Sequence, residues 1–286
     1  MKKLLYQLDT DVLPAVFDSV VAYDGGADRV GSYGSVTADN VGPLVEGAIF
    51  TRGPAEKKNT ALFIGGGNLA AGDALLAAVK AKFFGKFRVS VMLDCNGANT
   101  TAAAAVAWLS HQRSLAGKRA VILAGSGPVG QRAAVLLSRE GVTVAITGRK
   151  LDVVQRVCAT LKQRFGCEVQ ALEAATSGAR VAAVKGAHIL LATGAAGVTL
   201  LDERAWRESD TLELVADANA SPPAGIEGVG ASDRGKSSHG KILYGSLGFG
   251  ALKLALHRAC IGRLFGSNDL VLDCDEIYAI AKTMVG

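Results

Sequence analysis

The residues best suited to chemistry lie in a glycine-rich loop that directly follows the apolar stretch 120–124. In a Gly-x-Gly-x-x-Gly loop the first glycine permits a tight turn, and the second lets a pyrophosphate approach the backbone. The third lets the following helix pack closely on the strand. The phosphate then binds the unpaired N–H groups at the start of the helix predicted over 128–140. The spacing predicts a dinucleotide site at Gly125, Ser126, Gly127, Pro128, Val129 and Gly130.

The end of the next predicted strand, 142–147, indicates which dinucleotide binds. A site that prefers NAD usually has an acidic residue there, which accepts a hydrogen bond from the ribose 2′-hydroxyl. This chain has Gly148, Arg149 and Lys150 instead, and its nearest acid, Asp152, falls in the following helix. Two cations suit the doubly charged 2′-phosphate of NADP. The pattern therefore predicts NADP, the alternative being a basic helix start that faces water.

From residue 118 onward, strand-like and helix-like segments alternate regularly. Strands are predicted near 119–124, 142–147, 167–172, 188–193 and 212–216. This alternation is typical of a doubly wound parallel sheet, whose ligands bind at the carboxyl ends of the strands. Cofactor contacts are therefore also expected from residues that follow the later strands, namely Thr193, Gly194, Ala195, Asp217 and Asn219.

The first hundred residues predict a second, smaller α/β unit. Strands are expected over 4–8, 61–64 and 88–93, with Thr37 capping a helix that runs to about 48 and Asn68 capping one that reaches 83. An Ala-rich helix over 100–110 should join the two units. The stretch after 217 is expected to be loop-like, before helices at about 247–265 and 273–284. We therefore predict an α/β, two-domain architecture: a Rossmann-type doubly wound parallel sheet over 98–265, and a smaller α/β substrate domain over 1–97 and 266–286.

Composition narrows the class of protein. The chain has 286 residues, 49% of them hydrophobic and 20% charged, which is typical of a globular protein. No apolar stretch approaches the ~20 residues needed to span a bilayer. A net charge of +5 with only 6% aromatic residues does not favour nucleic-acid binding. The five cysteines and four histidines lack metal-ligand spacing, so we predict no metal, no disulfide framework and a cytoplasmic location.

Several segments outside the glycine loop are unusual strings. They are 23–28 (YDGGAD), 50–53 (FTRG), 63–67 (FIGGG), 94–104 (DCNGANTTAAA) and 250–260 (GALKLALHRAC). Together with the Gly-Arg-Lys at 148–150, they resemble the NADP-dependent methylene-tetrahydromethanopterin dehydrogenases of bacterial one-carbon metabolism, over nearly the whole chain. The resemblance implies hydride transfer from the methylene bridge of a tetrahydropterin to NADP, with methylene-tetrahydrofolate as a further substrate in some members. It also implies a cytoplasmic homo-oligomer. One departure is Ala255, where members of the family have a second lysine.

The implied reaction requires the protein to position the methylene carbon against the nicotinamide ring, and it needs no general base. Loss of a hydride from an N–CH₂–N bridge leaves a cation stabilised by both nitrogens, and no proton is removed in that step. Lys253, which lies in an otherwise apolar helix, is the first candidate for an anchor, although a lysine that merely snorkels to water fits the same pattern. Asp94 and Thr101 are the other candidate catalytic residues. Asp18, Gly25, Asn96, Thr100 and Lys253 are the candidate substrate-binding residues, with helix capping and turn formation as the alternatives.

Two other functions stay open from the sequence. One is a methylene-tetrahydrofolate dehydrogenase, which shares the chemistry and differs in the substrate. The other is a non-catalytic, NADP-binding redox sensor. The Tyr-x-x-x-Lys spacing of Tyr278 and Lys282 is interpreted as a coincidence, because it lies in an amphipathic helix near the C-terminus.

Overall fold

A computed structural model describes residues 1–285, and of Gln112 only the backbone. The chain divides into two compact units. Unit 1 comprises residues 1–100 and 254–280, and unit 2 comprises 101–253 and the residues from 281 onward. Residues 254–265 thus fall in unit 1, whereas the sequence analysis assigned them to the dinucleotide domain. The division into compact units does not test domain borders, so the predicted borders at 97/98 and 265/266 stay a prediction.

Unit 1 contains a parallel sheet in the order β12-β4-β3-β1-β2. Its elements are β1 (Leu4–Asp9), α1 (Val16–Asp24), β2 (Arg29–Tyr33), α2 (Gly42–Phe50), β3 (Thr60–Gly65), α3 (Leu69–Ala81), β4 (Ser90–Leu93), β12 (Val271–Leu272) and most of α10 (Cys274–Lys282). Every residue of β3 and β4 is buried, as expected for central strands of a parallel sheet.

The helix starts of unit 1 test two capping predictions. The Asn68 side chain accepts a hydrogen bond from the backbone N–H of Ala71 at 3.1 Å, so the predicted N-cap of α3 is confirmed. The prediction for Thr37 is wrong, because its hydroxyl closes a short turn by accepting from the N–H of Asn40, and α2 begins only at Gly42. Pro43 explains the later start, because its fixed φ suits the first turn of a helix.

Unit 2 is built on a seven-stranded sheet in the order β10-β11-β9-β8-β5-β6-β7. Its elements are β5 (Arg119–Leu123), α5 (Pro128–Arg139), β6 (Thr143–Gly148), α6 (Leu151–Phe165), β7 (Val169–Glu173), α7 (Ser177–Val184), β8 (Ile189–Ala192), α8 (Glu203–Arg207), β9 (Leu214–Asp217), β10 (Arg234–Ser238) and β11 (Lys241–Tyr244). Two long helices, α4 (Ala98–Gln112) and α9 (Ser246–Leu264), belong partly to each unit.

The predicted strands of unit 2 are present within two residues of their expected limits, and the fold class is confirmed. The expectation of a loop-like stretch after 217 is confirmed over 218–233 but wrong beyond it, because β10 and β11 form an antiparallel hairpin before α9. The hairpin is not predictable from the sequence pattern, because β10 is an exposed edge strand of polar residues and lacks an alternating apolar pattern. Its inner strand β11 pairs in parallel with β9 and so extends the sheet.

Candidate functional site

The strand order of unit 2 places the glycine loop at the point where the sheet changes direction. From β5 the chain builds β6 and β7 on one side, and then returns to build β8 and β9 on the other. In doubly wound sheets the crevice at such a switch point, at the carboxyl ends of the strands, is where ligands bind. The loops that follow β5 and β8 flank this crevice.

The glycines of the loop are needed for different physical reasons. A Cβ atom on Gly130 would lie 2.5 Å from the Cα of Gly125 and 2.7 Å from Oγ1 of Thr193, so close packing of α5 demands glycine there. At Gly127, by contrast, an added Cβ would meet nothing nearer than 3.7 Å. No protein neighbour therefore explains Gly127, whereas a phosphate seated on the start of α5 would.

Arg149 and Lys150 lie at the carboxyl end of β6 and help to line a cavity of about 400 Å³ with Ser126, Gly148, Val153 and Val154. Both basic side chains are exposed, and within residues 1–285 neither forms an ion pair or a side-chain hydrogen bond. Asp152, the nearest acid, pairs instead with Arg156 at 2.9 Å. Two cations without a protein counter-ion, beside the glycine loop, fit a phosphate on the adenosine ribose.

The other predicted cofactor residues lie at the ends of β8 and β9. The Thr193 hydroxyl donates to the carbonyl oxygens of Leu123 and Ala124, at 3.2 and 3.3 Å, and so fixes the end of β8 against the end of β5. Gly194 packs against Leu200, where an added Cβ would lie 2.8 Å from Cδ1, and Ala195 is exposed.

Asp217 and Asn219 mainly hold the loop that they begin. Asp217 is buried, and its two carboxylate oxygens accept hydrogen bonds from the backbone N–H groups of Asn219 and Ile226, at 2.9 and 3.0 Å. Burial raises the pKa of this carboxyl, against the opposing effect of the backbone N–H groups. Asn219 in turn bonds the backbone of Ser221 and Pro223. These side chains therefore shape the crevice through the loop.

Ser246, the first residue of α9, is a polar residue at the site that the sequence patterns do not predict. Ser246 lines a cavity of about 180 Å³ together with Asp217 and Asn219. The residue is 7% exposed, and its hydroxyl has no hydrogen-bond partner among the described residues. A polar residue directly after a strand end is the signal that could have identified it, but β11 itself was not predicted.

Unit 1 has a switch point of its own, between β1 and β3. The carboxyl ends of these strands carry Asp9 and Gly65, and Asp18 of α1 approaches the same place. A Cβ on Gly65 would lie 3.2 Å from carboxylate oxygens of both Asp9 and Asp18. Asp9 is fully buried and accepts from the backbone N–H groups of Asp11 and Ala15, whereas Asp18 is only half-buried. Asp18 is thus the more accessible of the two carboxylates at this crevice.

The candidate site residues in the segment after β4 are of two kinds, buried and accessible. Asp94 is buried and accepts from the Thr100 hydroxyl at 2.6 Å and from the N–H groups of Asn99 and Thr100, so this pair anchors the start of α4. The buried ring of His257, on α9, places Nδ1 3.9 Å from an oxygen of Asp94. Asn96 is exposed, has a positive φ of 55°, and its side chain forms no hydrogen bond within the described chain.

The remaining predicted residues lie apart from these clusters. Gly25 ends α1 against α9, where a Cβ would lie 2.6 Å from Ile261, so packing alone requires glycine. Lys253 and Thr101 are half-buried on α9 and α4, and Ala255 is exposed. The structure brings together the cofactor candidates of unit 2, and separately Asp94 and Thr100 of unit 1.

The described residues give little support to thiol chemistry, metal binding or a membrane span. Burial raises the pKa of the Cys260 thiol to about 12, which makes it a poor nucleophile. Within residues 1–285 no cluster of histidine, cysteine or carboxylate side chains could hold a metal ion. None of the described helices is long and apolar enough to cross a membrane.

Comparison with known proteins agrees with this geometry. The fold and the glycine loop define a Rossmann-type α/β protein with a crevice at the switch point of its sheet. Solved structures of similar fold include 5-ketofructose reductase of Gluconobacter sp. (TM-score 0.55, 15% identity, 99% of each chain) and quinate dehydrogenase of Corynebacterium glutamicum in complex with NAD (TM-score 0.55, 13% identity, 98% of each chain). At this identity the likeness shows the fold alone.

The sequence relatives define the family. The chain is 54% identical to the bifunctional protein MdtA of Methylorubrum extorquens over 99% of both chains. It is 34% identical to an NAD(P)-dependent methylenetetrahydromethanopterin dehydrogenase of the same organism over 74% of both. Residues 16–96 match the family described as methylene-tetrahydromethanopterin dehydrogenase, N-terminal. The chain therefore belongs to the methylene-tetrahydromethanopterin dehydrogenase family, as its motifs predicted.

Proposed function

We propose that this protein is an NADP-dependent methylene-tetrahydromethanopterin dehydrogenase. Family membership over the whole chain supports the substrate class. The observation that supports the choice of cofactor is the pair Arg149 and Lys150, two exposed cations beside the glycine loop that have no counter-ion within residues 1–285. A cytoplasmic homo-oligomer, which the resemblance implies, is part of the proposal.

The chain has to bind and orient two molecules. When bound, NADP supplies a nicotinamide C4 that accepts the hydride. The first turn of α5 holds the diphosphate, Gly127 leaves room for it, and Arg149 and Lys150 hold the 2′-phosphate. Asp18, Asn96 and Lys253 are the polar side chains assigned to the pterin, because each is at least partly accessible whereas Asp94 and Thr100 are buried and bonded to each other. Each of these groups would give the pterin a polar contact, and none has to remove a proton.

The activity is tested by initial rates of NADP and NAD reduction with methylene-tetrahydromethanopterin and methylene-tetrahydrofolate in parallel. The expected result is fastest turnover with NADP and the methanopterin substrate. Higher efficiency with the folate would favour the methylene-tetrahydrofolate dehydrogenase. Tight NADP binding without turnover of either substrate would favour the redox sensor.

Cofactor preference is tested by replacing Arg149 and Lys150 together with alanine. The substitutions should remove about 2–4 kcal/mol of charge-assisted pairing with the 2′-phosphate. We therefore expect kcat/KM for NADP to fall roughly 30- to 1,000-fold, with little change in kcat/KM for NAD. The matched control is Lys162→Ala with Arg204→Ala, which removes the same net charge from pairs with Glu168 and Glu208 elsewhere on unit 2. An equal loss for both cofactors would contradict the 2′-phosphate assignment.

A further inference from the structure

The small cavity at the carboxyl ends of β9 and β11 is lined by a buried hydroxyl group, that of Ser246, which forms no hydrogen bond with the described residues. Its volume is about 180 Å³, and Asp217, Asn219, Ser221, Gly245 and Ser246 contribute to its lining. Ser246 is more than nine-tenths buried, and its hydroxyl has no partner among the described residues. A buried hydroxyl without a hydrogen bond is unfavourable, so this one needs a partner that the folded chain does not supply.

The surrounding groups indicate the charge of that partner. Asp217 is the acidic residue of this lining, and each of its oxygens accepts a backbone N–H group, which offsets part of its negative charge and competes with a cation. The N–H groups of Leu247 and Gly248, in the first turn of α9, both donate to the carbonyl of Ala231, at 2.8 and 3.1 Å. The helix start is therefore largely satisfied and does not favour an anion. A serine hydroxyl both donates and accepts, which suits a neutral polar group such as an amide.

The position of the cavity indicates which molecule carries that group. With the diphosphate on the loop after β5 and the adenosine ribose at the end of β6, the other half of a dinucleotide must extend towards β8 and β9. Adjacent strands lie ~4.8 Å apart, so β9 is about 10 Å from β5, within reach of the second nucleotide. The cavity is smaller than the ~300–1,000 Å³ of a site for a whole drug-sized ligand, and it suits a single ring.

We propose that the Ser246 hydroxyl oxygen accepts a hydrogen bond from the carboxamide NH₂ of the nicotinamide ring of NADP. The hydroxyl reaches this partner by rotation about the Cα–Cβ bond between staggered positions. Asp217 and Asn219 contribute indirectly, by fixing the loop that forms the opposite wall. The inference rests on the proposed function, because it requires NADP as the bound cofactor.

The test separates the two halves of the cofactor. Titration calorimetry measures the Kd of NADP, and of adenosine 2′,5′-bisphosphate, which lacks the nicotinamide, for wild type and Ser246→Ala. We expect the variant to bind NADP about 5- to 30-fold more weakly, as for the loss of one hydrogen bond, and the bisphosphate within twofold of wild type. The matched control is Ser237→Ala on the exposed strand β10, which should leave both Kd values unchanged.

A second measurement uses unmodified protein and does not depend on the folding of a variant. The 3-acetylpyridine analogue of NADP keeps the carbonyl but replaces the amide NH₂ with a methyl group. Wild type should bind it several-fold more weakly than NADP, because the methyl group cannot donate to the Ser246 hydroxyl oxygen.

The outcomes are distinct. Unchanged NADP affinity in Ser246→Ala would show that the hydroxyl does not contribute to cofactor binding, and would overturn the inference. Equal weakening of NADP and the bisphosphate, or wild-type binding of both dinucleotides with equal affinity, would overturn it as well. NADP binding that depends on Ser246, without pterin turnover, would leave the inference standing and remove only the proposed activity. A wild-type protein that binds no NADP would remove both.

Discussion

At the scale of single residues, accessibility separates side chains that can bind a ligand from those that hold the fold. Asp94 and Asp217 were both predicted to contact ligands, yet each is almost fully buried and bonded to neighbouring backbone N–H groups. Arg149 and Lys150 are exposed, and their side chains have no partner in the part of the chain that the structure describes. Because a buried carboxylate with several donors is already satisfied, its replacement would disturb folding before it affected recognition.

Lys253 provides a prediction at this scale. Replacement of Lys253 with alanine should lower kcat/KM for the methylene-pterin at least about tenfold, because an anchor for the substrate is lost, while the Kd of NADP stays within twofold. Steady-state rates and calorimetry measure the two effects. The control is Arg263→Ala, an exposed cation in the last turn of the same helix. Unchanged pterin turnover in Lys253→Ala would show that Lys253 is only a snorkelling surface lysine.

At the scale of elements, close approach between helices and strands explains part of the glycine pattern. Gly130 allows α5 to pack on the turn after β5, and Gly25 allows α1 to end against α9. In both places an added Cβ would overlap backbone or branched side-chain atoms, which cannot move aside easily. Gly127 lacks such neighbours and is the glycine of the loop that a ligand explains best.

Gly130→Ala tests the packing of α5. The added methyl group would lie 2.5 Å from the Gly125 backbone, so we expect a loss of about 1–3 kcal/mol in the free energy of unfolding, and weaker NADP binding from the displaced helix start. Urea unfolding and calorimetry measure these changes. The control is Gly178→Ala in α7, where an added Cβ meets nothing within 4 Å and the effect should range from neutral to stabilising by roughly 1 kcal/mol. Equal effects of both substitutions would contradict this account.

At the scale of the whole molecule, stability depends on pH through groups whose pKa changes on folding. Glu213 accepts hydrogen bonds from Lys118 at 2.5 Å and from Arg113 at 2.6 Å, and this pairing lowers the pKa of the carboxyl despite partial burial. A lowered pKa stabilises the fold above the unfolded pKa, and this contribution is lost as the pH falls through the folded value. The raised pKa of Asp217 acts in the opposite direction, since its contribution is lost as the pH rises through the raised value.

Glu213→Gln should therefore destabilise the protein at neutral pH and have little effect in acid. Because the Glu213 side chain is 28% exposed, solvent screening limits the expected loss to roughly 0.5–1 kcal/mol at pH 7. Urea unfolding of wild type and variant between pH 7 and pH 3 measures the difference, which should vanish at the acid end and shrink in high salt. Glu208→Gln, which removes a more exposed partner of Arg204, is the control and should change stability much less. A difference that persists unchanged at pH 3 would argue against a charge effect.

Local patterns in the sequence predicted most of the fold of unit 2. Apolar runs of strand length, separated by amphipathic helices, identified β5 to β9, and the glycine spacing located the switch point between β5 and β8. These features are local, so neighbouring residues suffice to specify them. The polar strand β10 and the late start of α2 were missed, because an exposed edge strand lacks apolar alternation and Pro43 determined the helix start more strongly than the potential cap Thr37.

The sequence by itself determined the family, the parallel-sheet class and the position of the basic pair after β6, because each depends on residue type and spacing along the chain. The tertiary structure decided which polar side chains remain available. Burial commits Asp94 and Asp217 to hydrogen bonds that hold the fold, whereas Arg149, Lys150 and Ser246 have no partners among the described residues. Those contacts join residues far apart in the chain, such as Asp217 and Ser246 at one cavity, and no local pattern encodes them.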